Sequence, residues 1–413
     1  MIHIDCKESS LYPGEHLTRE ERLHRLVQHS KARARYMESH ILFQINATRS
    51  INPDVAHFHV VLEPSMYYVA QIRIGSFQGQ QQPFLNYYLM VDTGSSFTWL
   101  QCEGATKTFT QDTPIYPWNS SITYRPLSCN KHRFCEGKCN ADGQCTYVED
   151  DATGSFTSSI VVKEKFTVGS NTGVLESIDL KMGYGFRQHN FNQFLGDAGQ
   201  GKFSYCLETY DPNVEGSNTY LRFGADTTIG GGDQEVHTTP IVVNNFLTRV
   251  YYLNLEDISV GNKRVGFSKG TFEINKQGGG GTSIDSGTII SVMYKDHFDK
   301  VADLVKAHFH ELDVKYIGSR QDFGLCFQIP EAFTIVGFPF MTLHFQHADY
   351  IIPHYKANFV MISNGIYCLG IIGGDTNWVA FALGAMQQAN KRILYNIKDQ
   401  SLSFAIEDCK SGS

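Results

Sequence analysis

Apolar and polar positions alternate with period two along much of the chain, and glycines punctuate the alternation. Tyr67-Tyr-Val-Ala-Gln-Ile-Arg-Ile-Gly75 is a clear instance, a half-buried strand that breaks at glycine. An uninterrupted apolar run, Tyr88-Leu-Met-Val91, then feeds Asp92-Thr-Gly-Ser95, and a second run closes at Trp99 and Leu100. Such runs predict buried strand, with Gly94 at the tight turn between them. The pattern places one carboxylate at the tip of a rigid turn, among hydroxyl and backbone N–H donors that keep it ionised. Helical spacing occurs in Thr18–Tyr36, where Thr18 and Glu21 form a capping-box pattern, and in Tyr294–Leu312. In the second stretch Phe298, Val301, Leu304, Val305 and Phe309 share a face.

The aspartate turn repeats 193 positions later as Thr282-Ser-Ile-Asp-Ser-Gly-Thr-Ile-Ile-Ser-Val292, with Asp285, Ser286, Gly287 and Thr288 in the matching places. Asp is a common turn former, so one tetrad says little. Two tetrads, each inside an apolar run and half a chain apart, are expected by chance in only about one chain in a thousand.

With these residues in view, the chain resembles the pepsin-like aspartic proteases, and within them the plant nepenthesin-like branch. Asp92-Thr-Gly-Ser with Trp99 beyond it resembles the first active-site loop, and Asp285-Ser-Gly-Thr the second. The likeness continues through Gln101-Cys102, Lys202-Phe-Ser-Tyr-Cys-Leu207, Thr239-Pro-Ile241, Tyr251-Tyr-Leu253 and Gln387-Gln388, over most of residues 65–409. It implies a mainly β, bilobal acid-protease fold with pseudo-two-fold related lobes and a central cleft. A pro-segment-like region over 1–62, a first lobe over 63–235 and a second over 236–413 are expected. It implies Asp92 and Asp285 as catalytic, supported by Thr93, Gly94, Ser95, Ser286, Gly287 and Thr288. It also implies the disulfides Cys206–Cys409 and Cys326–Cys368, polypeptide substrates, pepstatin-type inhibitors, a monomer and no cofactor or metal.

The family's flap pattern, Cys-x-Tyr-x-x-x-Tyr-Gly-Asp-Gly-Ser-x-Thr, falls on Cys145-Thr-Tyr-Val-Glu-Asp-Asp-Ala-Thr-Gly-Ser-Phe-Thr157. Tyr147 keeps the first tyrosine. Asp151 replaces the second, which in the family bonds the indole matching Trp99. The Ile-Leu-Gly strand that braces the first aspartate loop has only Phe194-Leu-Gly196 as a counterpart, while Ala382-Leu-Gly384 matches the second brace. Two readings follow: an acid endopeptidase, or a catalytically weak, peptide-binding or inhibitor-like member of the same fold.

Composition narrows the alternatives. A length of 413 residues suffices for two sizeable cores. A net charge of −7 without a long basic run argues against nucleic acid, and no apolar run reaches membrane-spanning length. Ten cysteines suggest an oxidising compartment. Cys129, Cys135, Cys139 and Cys145 lack the paired short spacings of a zinc site, so a disulfide-stapled loop is expected there. With Cys102 these make five, so one is free, paired elsewhere or paired with Cys6. Sequons at Asn46 and Asn119 permit glycosylation.

The family implies a secreted, apoplastic or vacuolar protein, although no signal-peptide pattern follows Met1. The cationic helix over 18–36 reads as a pro-segment whose cations pair with cleft carboxylates and release in acid. Gly278–Gly281 precedes no Lys-Ser/Thr and reads as a loop rather than a phosphate cradle. Asp296, His297 and His308 read as face residues of a helix rather than a metal set. A serine hydrolase is not expected without a Gly-x-Ser-x-Gly elbow, nor a cysteine protease among cysteines that look paired.

Overall fold

In the computed structural model the protein is mainly β and bilobal. The structure describes residues 18–39, 55–62, 68–79, 83–94, 100–105, 113–129, 139–150, 156–169, 175–183, 200–209, 219–242, 250–276, 278–375 and 379–409.

In the first half, Tyr68–Ile74 and Leu85–Met90 form an antiparallel pair that delivers the chain to Asp92. The strand predicted from alternation over 67–75 is therefore present, and Ile72 and Ile74 enter the core. The long strand Phe156–Gly169 pairs with Leu175–Gly183 and with Thr146–Asp150. The last pairing is the hairpin expected of the flap.

A six-stranded antiparallel stretch of a larger closed sheet joins the halves. Its order is Val55–Leu62, Thr219–Gly224, Lys202–Cys206, Lys391–Asn396, Ser401–Ile406 and His237–Val242. The central pairing crosses from first half to second, with Phe203 opposite Tyr395 and Tyr205 opposite Ile393. The disulfide Cys206–Cys409 closes beside it.

In the second half, Tyr251–Leu253 pairs with Thr282–Ile284, which runs parallel to Phe381–Leu383. Two further four-stranded sheets complete this half, and Cys326–Cys368 cross-links neighbouring strands of one of them. Both disulfides that the resemblance implied are present.

The helix expected over 294–312 spans Lys295–Glu311 and buries Phe298, Val301, Ala302, Val305 and Phe309. Leu304, at the edge of that face, is only partly buried. The glycine run 278–281 is a packing device, not a ligand loop. Gly281 has φ +77°, and a Cβ there would stand 2.8 Å from the Tyr252 ring.

The first helix, Arg19–Ser39, starts with the predicted capping box. Thr18 N–H donates to Glu21 Oε2 at 2.7 Å, and Glu21 N–H donates back to Thr18 Oγ1 at 3.2 Å. Leu23, Leu26 and Val27 are buried in a cluster with Ile289, Ile290, Val292, Val360, Ile362 and Ile372 of the second half. Ile290 N–H donates to Ser30 Oγ at 3.2 Å. Burying such side chains stabilises by about 1.5–3 kcal/mol each. An apolar stripe thus takes part in the docking of this helix. His24 does pair with Asp322 at 2.9 Å, but at an exposed position worth at most about 1 kcal/mol. Gln28 Nε2 donates to the same Asp322 carboxylate, so apolar and polar contacts both hold the helix.

Candidate active site

The two aspartate turns meet back to back. Thr93 N–H donates to Ser286 Oγ at 3.1 Å, and Ser286 N–H donates to Thr93 Oγ1 at 2.9 Å. Each hydroxyl also reaches a carbonyl across the gap: Ser286 Oγ donates to Val91 O at 2.8 Å, and Thr93 Oγ1 lies 3.4 Å from Ile284 O. A hydroxyl is the smallest side-chain group that both accepts and donates, so Thr and Ser here satisfy four buried backbone groups between them.

The same crossing explains the glycines. A Cβ on Gly94 would fall 2.4 Å from Asp285 Oδ1, and one on Gly287 would fall 2.3 Å from Asp92 Oδ1. Each carboxylate therefore lies against the opposite turn, and a larger residue at either glycine would displace it. Within its own turn each carboxylate accepts a backbone bond at 2.9 Å, from Gly94 N–H to Asp92 Oδ1 and from Gly287 N–H to Asp285 Oδ1. Thr288 Oγ1 adds a 2.6 Å bond to Asp285 Oδ2. Asp285 is fully buried and Asp92 nearly so.

The second turn is braced from behind. Asp285 N–H donates to Leu383 O at 3.0 Å, from the strand that the Ala382-Leu-Gly384 match predicts. Gly384 itself lies under Thr288 O and Ile289 O, where a Cβ would come within 2.8 Å of each.

Ser95, Trp99 and Asp151 lie outside the described residues, as do Phe194-Leu-Gly196, Asn46, Cys6 and Cys135. Tyr147 is in the hairpin strand, opposite Ser159. Asn119 is exposed in a short turn over Trp118–Ser120. Cys129 bonds Cys139, and Cys145 is disulfide-bonded to a partner outside the described residues. Cys102 is the free cysteine among the described residues. Burial, then the carboxylates of Glu103 and Glu164, holds its thiol well above the usual range, so it is no nucleophile.

His297 packs edge-on against Phe267, Phe272 and Tyr294, and His308 bonds the carbonyl of Gly337 at 2.9 Å. Both histidines are thus engaged in packing.

One constellation escaped sequence reasoning. Ser259 Oγ lies 2.7 Å from His344 Nε2, and His344 Nδ1 lies 2.6 Å from Asp349 Oδ1. No motif marks it, because the three residues come from neighbouring strands. Ser259 is buried within the paired strand Leu255–Val260, not exposed at an elbow. Arg264 Nη2 stands 3.2 Å from the same Nδ1 and opposes the imidazolium that a serine triad must form. The arrangement is a sheet-locking network.

Comparison with known proteins agrees with this geometry. Residues 68–201 match the family described as xylanase inhibitor N-terminal, and residues 250–406 the family described as xylanase inhibitor C-terminal. Aspartic proteinase nepenthesin-1 of Nepenthes gracilis is 26% identical over 421 residues, covering 96% of this chain and 88% of its own. Nepenthesin-2 of the same plant is 26% identical over 362 residues, covering 83% and 78%. Aspartyl protease family protein 2 of Arabidopsis thaliana is 27% identical over 343 residues, covering 78% and 68%. Among solved structures, edgp superposes with a TM-score of 0.70 at 20% identity, covering 88% of this chain and 97% of that one. Basic 7S globulin from soybean gives 0.64 at 15% identity, covering 86% and 97%.

Proposed function

The chain belongs to the pepsin-like aspartic protease family, and on that premise we propose that it is an acid endopeptidase whose dyad is Asp92 and Asp285. The observation that carries this reading is the reciprocal Thr93–Ser286 exchange, which sets each carboxylate against the opposite glycine.

One carboxyl of the pair is ionised and removes a proton from an attacking water. The other is protonated and donates to the carbonyl oxygen of the scissile peptide. The water oxygen bonds the carbonyl carbon and gives a gem-diol intermediate. Collapse breaks the C–N bond: the proton first taken from water goes to the leaving amine, and a gem-diol hydroxyl returns its proton to the other carboxylate. The dyad returns with one proton shared, and the titration belongs to the pair. Gly94 N–H, Gly287 N–H and the Thr288 hydroxyl stabilise the ionised forms. No covalent intermediate arises. An acidic working compartment follows from the shared proton, consistent with a secreted or vacuolar site of action. The helix Arg19–Ser39 serves in this reading as a pro-segment seated on the second lobe.

The test is cleavage of a denatured protein substrate at about pH 3–4, the range in which one carboxyl of a pair stays protonated, with and without pepstatin, against Asp92→Asn. Cleavage abolished by both is the expected result.

A second reading has its own support. Asp151 stands where the family carries its flap tyrosine, and both matched family descriptions name an inhibitor. A folded, processed protein that binds pepstatin yet cleaves nothing would establish a binding or inhibitory role instead.

A further inference from the structure

The brace behind the second aspartate turn runs into two consecutive buried glutamines that the chemistry above does not use. They lie in the one-turn helix Ala385–Gln388, just after the brace strand Phe381–Leu383. Gln388 Nε2 donates to Leu383 O at 2.8 Å, the carbonyl that accepts Asp285 N–H at the start of the turn. Gln387 serves the other end. Its Nε2 donates to Ala357 O at 2.6 Å and to Gly370 O at 3.1 Å, and its Oε1 accepts from the hydroxyl of Ser291. Ser291 Oγ in turn accepts Gly384 N–H at 2.8 Å. The next two N–H groups, of Ala385 and Met386, donate to Thr288 O at 2.7 Å and to Ile289 O at 3.0 Å.

Counting protons fixes the direction of these bonds. Both amide hydrogens of Gln387 go to carbonyls, so its oxygen faces Ser291 and can only accept. The single proton of Ser291 is committed there, which leaves its oxygen to accept from Gly384. Glutamate at 387 would lack the two donors, and methionine would lack donors and acceptor alike. Gly384 is packed directly beneath Thr288 O and Ile289 O, so a displacement of Gly384 is carried to Thr288. Thr288 is the residue whose hydroxyl donates to Asp285 Oδ2 at 2.6 Å.

We infer that Gln387, acting through Ser291 and Gly384, positions Thr288 for its hydrogen bond to Asp285. The inference rests on the endopeptidase reading for its catalytic consequence, not for its geometry. The amide is anchored away from the turn. Ala357 belongs to the short helix Tyr355–Asn358, and Gly370 lies between the strands Ile366–Leu369 and Ile371–Gly374. Thr288 is thereby referenced to the body of the second half as well as to the brace. Gln387 and Ser291 are positioning residues, since neither touches a reacting atom.

A hydroxyl that donates to a carboxylate favours its ionised form. Loss of that bond moves the titration of the Asp92–Asp285 pair to higher pH, a shift that belongs to the pair. Tyr205 and Tyr395 also act on Asp285, but burial keeps both phenols protonated, so they add no titration of their own in acid.

The experiment is a 13C-carboxylate titration of the pair in the full chain, assigned by difference against Asp285→Asn. It compares the wild type with Thr288→Val, Gln387→Met and the double variant. Thr227→Val is the control: it deletes a buried hydroxyl bond of similar length, 2.6 Å to Gly224 O, in the first half. Thr288→Val is expected to raise the titration of the pair by about half a unit or more. Gln387→Met is expected to move it in the same direction, and the double variant no further than Thr288→Val alone. Thr227→Val is expected to leave it in place. If Gln387→Met fails to fold, Ser291→Ala takes its role with the same expectation.

In the cleavage assay Gln387→Met should lower kcat with KM unchanged and carry the pH profile in the direction of the titration. A titration unmoved by Gln387→Met, moved equally by Thr227→Val, or shifted in the double variant by the sum of the single shifts would overturn the inference. The expected shifts in a protein that cleaves nothing would keep the positioning and sink the endopeptidase reading. Full cleavage with an unmoved titration would do the reverse.

Discussion

Thr93 and Ser286 exchange backbone N–H bonds through their hydroxyls, at 3.1 and 2.9 Å, although 193 residues separate them in the chain. Neither turn can move without the other. Ser286→Ala removes the acceptor for Thr93 N–H and the donor to Val91 O, leaving two buried groups unpaired. Each unpaired group costs about 1–3 kcal/mol. A urea midpoint clearly below that of the wild type is expected, with cleavage reduced at least tenfold. An unchanged midpoint would show that the exchange contributes nothing to stability.

Gly287→Ala tests the close approach of the turns. The new Cβ would stand 2.3 Å from Asp92 Oδ1, so the carboxylate must shift. Displacements of about 1 Å in a catalytic constellation lower rates by on the order of 10²-fold. Gly231→Ala is the control, since a Cβ there meets nothing within 4 Å. Peptide cleavage by both variants at one acidic pH, beside their thermal midpoints, separates a catalytic effect from an unfolding one.

Lys391 makes stability depend on pH in the alkaline range. It is nearly fully buried in the central sheet, and burial lowers its pKa from 10.5 to about 7, with the Tyr350 ring, 4.8 Å away, facing the ammonium. Between pH 7 and 10.5 the unfolded chain binds a proton that the folded chain does not, so folding stability rises with pH across that window. Below pH 7 both states are protonated and the folded state carries the whole penalty of a buried charge, on the order of a few kcal/mol. Lys391→Met should therefore raise stability at pH 6 more than at pH 10, as read by urea unfolding. A variant equally stabilised at both would show that the lysine is not shifted.

The first helix gives a fourth test. Apolar docking does not weaken when carboxylates protonate, so acid alone should leave Leu23, Leu26 and Val27 in place. Leu26→Asp puts a charge into the buried stripe and should release the helix. Release is read as tryptic cleavage within residues 22–35 at neutral pH. Equal protection of the wild type and Leu26→Asp would mean that the stripe does not hold the helix.

Much of the site is legible in the chain itself. The tetrads at Asp92 and Asp285 are local patterns, and so are the capping box at Thr18 and Glu21 and the apolar face of Lys295–Glu311. Each depends on residues within one turn or one helix. The buried contact between the Tyr205 and Tyr395 hydroxyls is not legible, because Tyr in a strand reads only as a good strand former. Its meaning comes from a pairing across 190 residues. The Ser259–His344–Asp349 network is hidden for the same reason. Cys102 was one of five cysteines that spacing could not sort. The cations of the first helix are conspicuous in sequence, whereas Leu23, Leu26 and Val27 gain their weight only from the groove they enter.

The sheet that joins the halves also imposes a timetable on synthesis. Lys202–Cys206 leaves the ribosome long before its central partner Lys391–Asn396 exists. At about 5–20 residues per second, the 190 residues between Tyr205 and Tyr395 take roughly ten to forty seconds to translate. Through that interval the strand has one partner, Thr219–Gly224, and an open edge on the other side. An open apolar edge is where foreign strands add. Translation of Lys391–Asn396 supplies the strand that covers this edge, and the Cys206–Cys409 bond then fastens the chain beside it.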